Sequence, residues 1–147
     1  MTQEATFKKV GQSDQRMYGE PGLLICGYTA DQHQNLVKLL EQIDLATIPL
    51  IFLNSDYAEY TLKKAFSLPD RTGYDVDSDL PASMIMSGFS ESELHKLISS
   101  YRKLGLPNPL WASLTPISEN WKLSDLLNEL KAEREAFIKR QKNQSKS

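Results

Sequence analysis

Few side chains in this sequence have the types and spacing that chemistry needs. Asp75-x-Asp77-x-Asp79 begins like a calcium loop. An EF-hand loop also requires glycine at its sixth position and a bidentate glutamate at its twelfth. Those positions hold Leu80 and Met86, so the run reads as a solvated acidic loop. His33 and His95 have no second histidine or cysteine at ligand spacing and read as helix-surface residues. The single cysteine, Cys26, excludes an internal disulfide and a multi-cysteine zinc site. A catalytic thiol would need a base and an electropositive setting; after Leu23-Leu24-Ile25 it reads as core packing. Gly27 and Gly88 each join a strand to a helix start, where backbone N–H groups can hold an anion. Neither lies in a GxGxxG or GxxxxGK[ST] motif, so both read as tight turns. No metal, cofactor or catalytic residue is expected.

The least ordinary stretch is Leu106 to Trp121, LPNPLWASLTPISENW, with three prolines and both tryptophans. Pro116 ends a strand, and Asn120 can order the turn into the last helix. Trp111 and Trp121 are each either core packing or an anchor for a partner. Thr115, Ser118 and Asn120 are the polar groups an enzyme would use, but no convincing base accompanies them.

The elements that position these residues follow from apolar periodicity. The chain has 147 residues with 17 Lys+Arg, 19 Asp+Glu, net charge −2 and 40% hydrophobic residues. These are values for one globular domain, and the near-neutral balance argues against general nucleic-acid binding. Short apolar runs at Leu23–Cys26, Ile48–Leu53, Met84–Met86 and Leu110–Leu114 read as strands. Helical spacing follows at Thr29–Leu45, Tyr57–Leu68, Ser90–Leu104 and Trp121 to about Arg140, the last with Leu123, Leu126, Leu127, Leu130 and Phe137 inward. No apolar run approaches the ~20 residues of a membrane span, and Met1–Glu20 lacks a signal-peptide pattern. The expectation is a soluble cytoplasmic protein.

A shift of 61 residues superposes the two halves without a gap. Gly27 falls on Gly88, Tyr28 on Phe89, Leu36 on Leu97, Tyr60 on Trp121 and Leu62 on Leu123. Thr29 with Gln32 and Ser90 with Glu93 both fit a capping box. The fold expected is a compact α/β sandwich of two tandem βαβα repeats around a mostly parallel four-stranded sheet. The runner-up is an α+β sheet with one antiparallel edge strand. Residues 1–20 form a disordered arm in this reading, and 21–140 the domain. Within it, 22–68 is one repeat, 69–81 an acidic linker and 82–140 the second repeat. Residues 141–147 are a flexible basic tail able to touch an acidic surface or membrane face.

Several motifs carry a resemblance: Ser87-Gly88-Phe89-Ser90, Arg102-Lys103-Leu104-Gly105-Leu106-Pro107, Pro109-Leu110-Trp111-Ala112, Leu114-Thr115-Pro116 and Asn120-Trp121. With Leu123 and Leu126-Leu127 they resemble a bacterial family of unknown function, closely over Met84–Leu130 and more loosely over the first half. A looser similarity is to soluble photosystem I assembly factors, which would place the protein in a plastid stroma if plastid-encoded. The resemblance implies no catalytic residue. The leading expectation is a non-enzymatic protein-interaction module, in the assembly-factor sense. It holds a protein partner at the rim from Thr115 through Pro116 and Asn120 to Trp121, with Trp111 nearby. The alternative is a small-ligand or nucleotide-binding regulatory domain, with Gly27, Tyr28, Gly88, Phe89, Thr115 and Asn120 around one pocket.

Overall fold

In the computed structural model, which describes residues 15–145, four strands alternate with four helices. These are β1 (Gly22–Cys26), α1 (Ala30–Gln42), β2 (Leu50–Leu53), α2 (Leu62–Phe66), β3 (Ser83–Ser87), α3 (Glu91–Tyr101), β4 (Leu110–Ser113) and α4 (Leu123–Ser145). Short 3-10 turns at Ser55–Tyr57 and Ser118–Asn120 precede α2 and α4. Every residue of β1, β2 and β3 is buried, as expected of strands covered on both faces. Both capping boxes form. Thr29 Oγ1 accepts from the Gln32 N–H and Ser90 Oγ from the Glu93 N–H, while each N3 side chain bonds back to the cap N–H.

The sheet order is β2-β1-β3-β4. The two outer pairs are parallel and the central β1·β3 pair is antiparallel. The expectation of a mostly parallel sheet holds; the antiparallel contact lies at its centre, not at an edge as in the runner-up. Strand patterning fixes which face is buried but not the direction of a neighbour, so this feature was not readable locally.

The 61-residue offset governs the pairing. Leu23↔Leu50 maps onto Met84↔Trp111, and Ile25↔Phe52 onto Met86↔Ser113. In the central pair Leu24 faces Ile85, the residue 61 positions on, and Leu23 faces Met86 while Ile25 faces Met84. A second self-matched contact lies between the segments leading into α2 and α4. The Leu62 N–H donates to the Trp121 carbonyl (3.0 Å) and the Leu123 N–H to the Tyr60 carbonyl (2.8 Å).

Alternation along the strands divides the core between two faces. Leu23, Ile25, Phe52, Met84 and Met86 pack with α1 and α3. Leu24, Cys26, Ile51, Leu53 and Ile85 pack with α2 and α4. Phe137, expected inward, points outward where α4 has outrun the sheet, and Leu104, the expected last residue of the third helix, lies exposed past the end of α3.

The flanking segments are tied down. In the expected arm, residues 1–14 lie outside the described residues, but Met17 N–H donates to the Phe89 carbonyl (2.8 Å) and Gly88 N–H to the Tyr18 carbonyl (3.0 Å). The acidic linker does the same for the first half, with Ser78 N–H donating to the Tyr28 carbonyl (3.0 Å) and Ser78 Oγ accepting from Gly27 N–H (2.9 Å). It also closes the outer edge of β2. Arg71 N–H donates to the Leu50 carbonyl (2.7 Å), Phe52 N–H to the Thr72 carbonyl (2.8 Å), and Leu50 N–H to the Asp70 carboxylate (2.8 Å). The linker is thus a bonded part of the fold. The expected tail is helical through Ser145.

These segments explain the two glycines. Gly27 and Gly88 have φ of +84° and +68°. A Cβ on Gly27 would lie 2.4 Å from Ala82 N, and one on Gly88 2.6 Å from Gly19 O and Pro21 N. Gly105 has a similar φ, +72°, but nothing within 4 Å. Gly105→Ala should therefore cost about 1–2 kcal/mol, the left-handed penalty alone, and Gly27→Ala or Gly88→Ala at least about twice that. Urea denaturation measures all three; equal losses would contradict the backbone crossing.

Candidate functional site

The rim after β4 is built on a locked backbone. The Leu114 N–H donates to the Met86 carbonyl (2.7 Å) and closes the ladder. Thr115 and Ser118 then brace each other: Thr115 N–H donates to Ser118 Oγ (3.0 Å), Ser118 N–H to Thr115 Oγ1 (2.9 Å), and the two hydroxyls lie 3.1 Å apart. Such local side-chain bonds are why Ser and Thr serve turns. The Trp121 N–H bonds to the Ser118 carbonyl (2.9 Å) and its carbonyl is held by Leu62. The Tyr18 hydroxyl donates to Glu119 (2.9 Å), and this bond, more than burial, raises its pKa.

Out of this frame project two apolar side chains, Ile117 at 74% exposure and Trp121 at 38%. Pro116 and Asn120 beside them are also exposed. Trp121 and Asn120 line an open depression with Lys122, Asp125 and Glu129. Lys122 forms an exposed ion pair with Glu59 at 2.9 Å, which raises the ammonium pKa and lowers that of the carboxylate.

Trp111 is half-buried, with its ring edge-on to Tyr101 at 5.5 Å between centroids. The Tyr101 hydroxyl donates to the Pro107 carbonyl and lies 2.7 Å from the Tyr28 hydroxyl, so Tyr28 donates to Tyr101. Burial pushes both phenols up, keeping them protonated as donors. Tyr101 thus links Tyr28, Trp111 and the Pro107 carbonyl.

The expected single pocket is not assembled. Because β1 and β3 are antiparallel, Gly27 and Gly88 lie at opposite ends of the sheet, separated by about five residues of strand, roughly 15 Å. Tyr28 and Phe89 are buried, and the chain's own backbone fills both glycine turns.

His33, expected on the surface, is buried. Its Nδ1 accepts the Asp75 N–H at 3.1 Å, and its ring stacks on Phe52 at 4.4 Å. His95 is exposed as expected. The three aspartates diverge: Asp77 accepts from the Ala30 N–H at the start of α1 (2.7 Å), and Asp79 binds the Ser55 N–H and hydroxyl (3.1 and 3.0 Å). Cys26 is buried, and loss of solvent pushes its thiol up to about 12, so it remains a protonated core group.

A larger open groove runs along β4 and α4, about 780 Å³, between Pro109, Leu110 and Trp111 on one side and Leu130, Glu133 and Phe137 on the other. Phe137 is 54% exposed there. The sequence reading missed this site; the signal was an apolar helix stripe continuing beyond the length that four- and five-residue strands can cover.

The fold is thus an α/β domain with helices on both faces of a four-stranded sheet, bearing an apolar pair on a braced turn. Residues 82–137 match the sequence model of a family described as a domain of unknown function, DUF3783. The matched region begins just before β3 and ends within α4, spanning one strand-helix-strand-helix half. No curated protein and no solved structure matches the chain. Among the described residues no helix is long and apolar enough to cross a membrane.

His33 gives a test by pH. Desolvation lowers its pKa below 6.5, partly offset by Asp75 and Asp77. Protonation would also remove the acceptor for the Asp75 N–H. The His33 contribution is therefore complete above about pH 6.5, the unfolded value, and is lost as pH falls through the lower folded value. Thermal melts should show a smaller loss between pH 7 and about pH 5 for His33→Gln than for the wild type. Equal losses would show that His33 does not hold the linker.

Proposed function

We propose that the protein is a non-enzymatic interaction module that holds a protein partner on the turn from Thr115 to Trp121. The observation that carries this reading is the exposed Ile117 and Trp121 on a turn whose backbone is held by Leu62 and Ser118. A preorganised aromatic anchor loses little entropy on binding. The candidate nucleophiles of the same turn, Thr115 and Ser118, are engaged with each other and with backbone N–H groups, which favours a bracing role for both. The finer reading is an assembly factor, with photosystem I the instance that the sequence resemblance implies and the cytoplasm or plastid stroma its setting. A module that grips through a small rigid patch suits transient assembly work. We also read the halves as copies of one unit, supported by the shared 61-residue register and by a family match that spans one half. The small-ligand alternative draws less support, since its residues are dispersed and its turns filled.

Affinity capture from the native source, with wild type beside Trp121→Ala and Ile117→Ala, tests the rim. Both variants should keep the wild-type circular dichroism, since both side chains are exposed, and each should reduce partner recovery about tenfold or more, as expected for anchor loss. Equal recovery by all three folded proteins would remove the rim from the account.

A further inference from the structure

The two outer strands are equivalent under the 61-residue offset, but among the described residues only one has its outer edge closed. On β2 the outward groups are those of Leu50 and Phe52, held by Asp70, Arg71 and Thr72. Their counterparts on β4 are Trp111 and Ser113. The inward residues of β4 are bonded, with Leu110 N–H on the Ala82 carbonyl and Leu114 N–H on the Met86 carbonyl. No hydrogen bond from the described residues reaches the outward N–H and C=O of Trp111 or Ser113. An unpaired edge of this kind is a template for another strand, and here it adjoins the groove that exposes Phe137.

We infer that a second copy of this chain occupies this edge, its β4 antiparallel to the first and its α4 alongside the first α4. Two arguments select a second copy. The first is charge. The amino-terminal part of α4 carries Asp125, Glu129, Glu133 and Glu135 against Lys131 and Arg134, while from Ala136 to Asn143 it carries only Lys139, Arg140 and Lys142. A two-fold axis perpendicular to the sheet at the β4 edge sets the two helices antiparallel, so the acidic part of each meets the basic part of the other. The second is closure. Because the linker covers β2, each chain offers one open edge, and edge pairing ends at a dimer without growing into a filament. The interface shares Asp125 and Glu129 with the depression beside Trp121 but leaves the Trp121 ring outside the paired edge, and it extends beyond the interaction reading.

Sedimentation velocity on the full chain across the micromolar range tests the inference. The wild type should move from monomer to dimer with rising concentration, more weakly at high salt. Ser113→Pro removes only an outward N–H, which an edge strand tolerates, and should raise the dissociation constant about tenfold or more. Phe137→Asp should weaken it in the same direction, and Trp121→Ala should leave it unchanged. A wild type monomeric throughout would overturn the inference. So would a dimer that survives in both Ser113→Pro and Phe137→Asp.

Discussion

The structure depends on the antiparallel pairing of β1 with β3, in which Leu24 faces Ile85. Each is the other's counterpart, so the two halves meet through equivalent residues. Strands buried on both faces leave little freedom of register, since a one-residue slip would exchange the side chains of the two cores. The reciprocal bonds between Tyr60–Leu62 and Trp121–Leu123 repeat the same relation on the α2 and α4 face. With these contacts set, the amino-terminal run into each strand crosses the strand-to-helix turn of the other half. That crossing occupies the ground where an open α/β sheet would receive a ligand.

The differences between the halves then matter more than the similarities. The first half ends in the five-residue α2 and is followed by a linker that folds back over β2. The second ends in the twenty-three-residue α4, which is about 35 Å long at helical rise. Strands of four or five residues reach only about 15 Å. The extra helix cannot be covered by its own sheet, which is why Phe137 and Ile138 emerge. Position 121 differs as well. Tyr60 packs against Tyr57, whereas Trp121, at the equivalent place, stands at the rim beside the exposed Ile117.

Local signals were legible in the sequence, and long-range ones were not. The capping boxes, the four strands and the starts of α1 and α3 rest on neighbours within a few positions, and the structure has each of them; the second helix starts at Leu62, five residues after the expected Tyr57. Strand direction at the centre does not rest on such neighbours, because Leu23–Cys26 reads identically beside a parallel or an antiparallel partner. His33 was read as a surface residue because its partner, the Asp75 N–H, lies 42 positions away. The aspartates of the linker are exposed, as expected, but their bonds were not legible, since the partners Ala30, Leu50 and Ser55 belong to other elements. Within the candidate site, the strand end at Pro116 was visible, while the mutual bracing of Thr115 and Ser118 and the exposure of Ile117 emerged only in the folded chain.

The central claim is that equivalent edges of one sheet have been treated differently, one closed by the chain and one left open. Residue-resolved hydrogen exchange on dilute, monomeric protein addresses it directly. The account predicts slow exchange for the Leu50 and Phe52 amides and fast exchange for their counterparts, Trp111 and Ser113. Equal protection at all four amides would contradict it, because the β4 edge would then already be closed within a single chain.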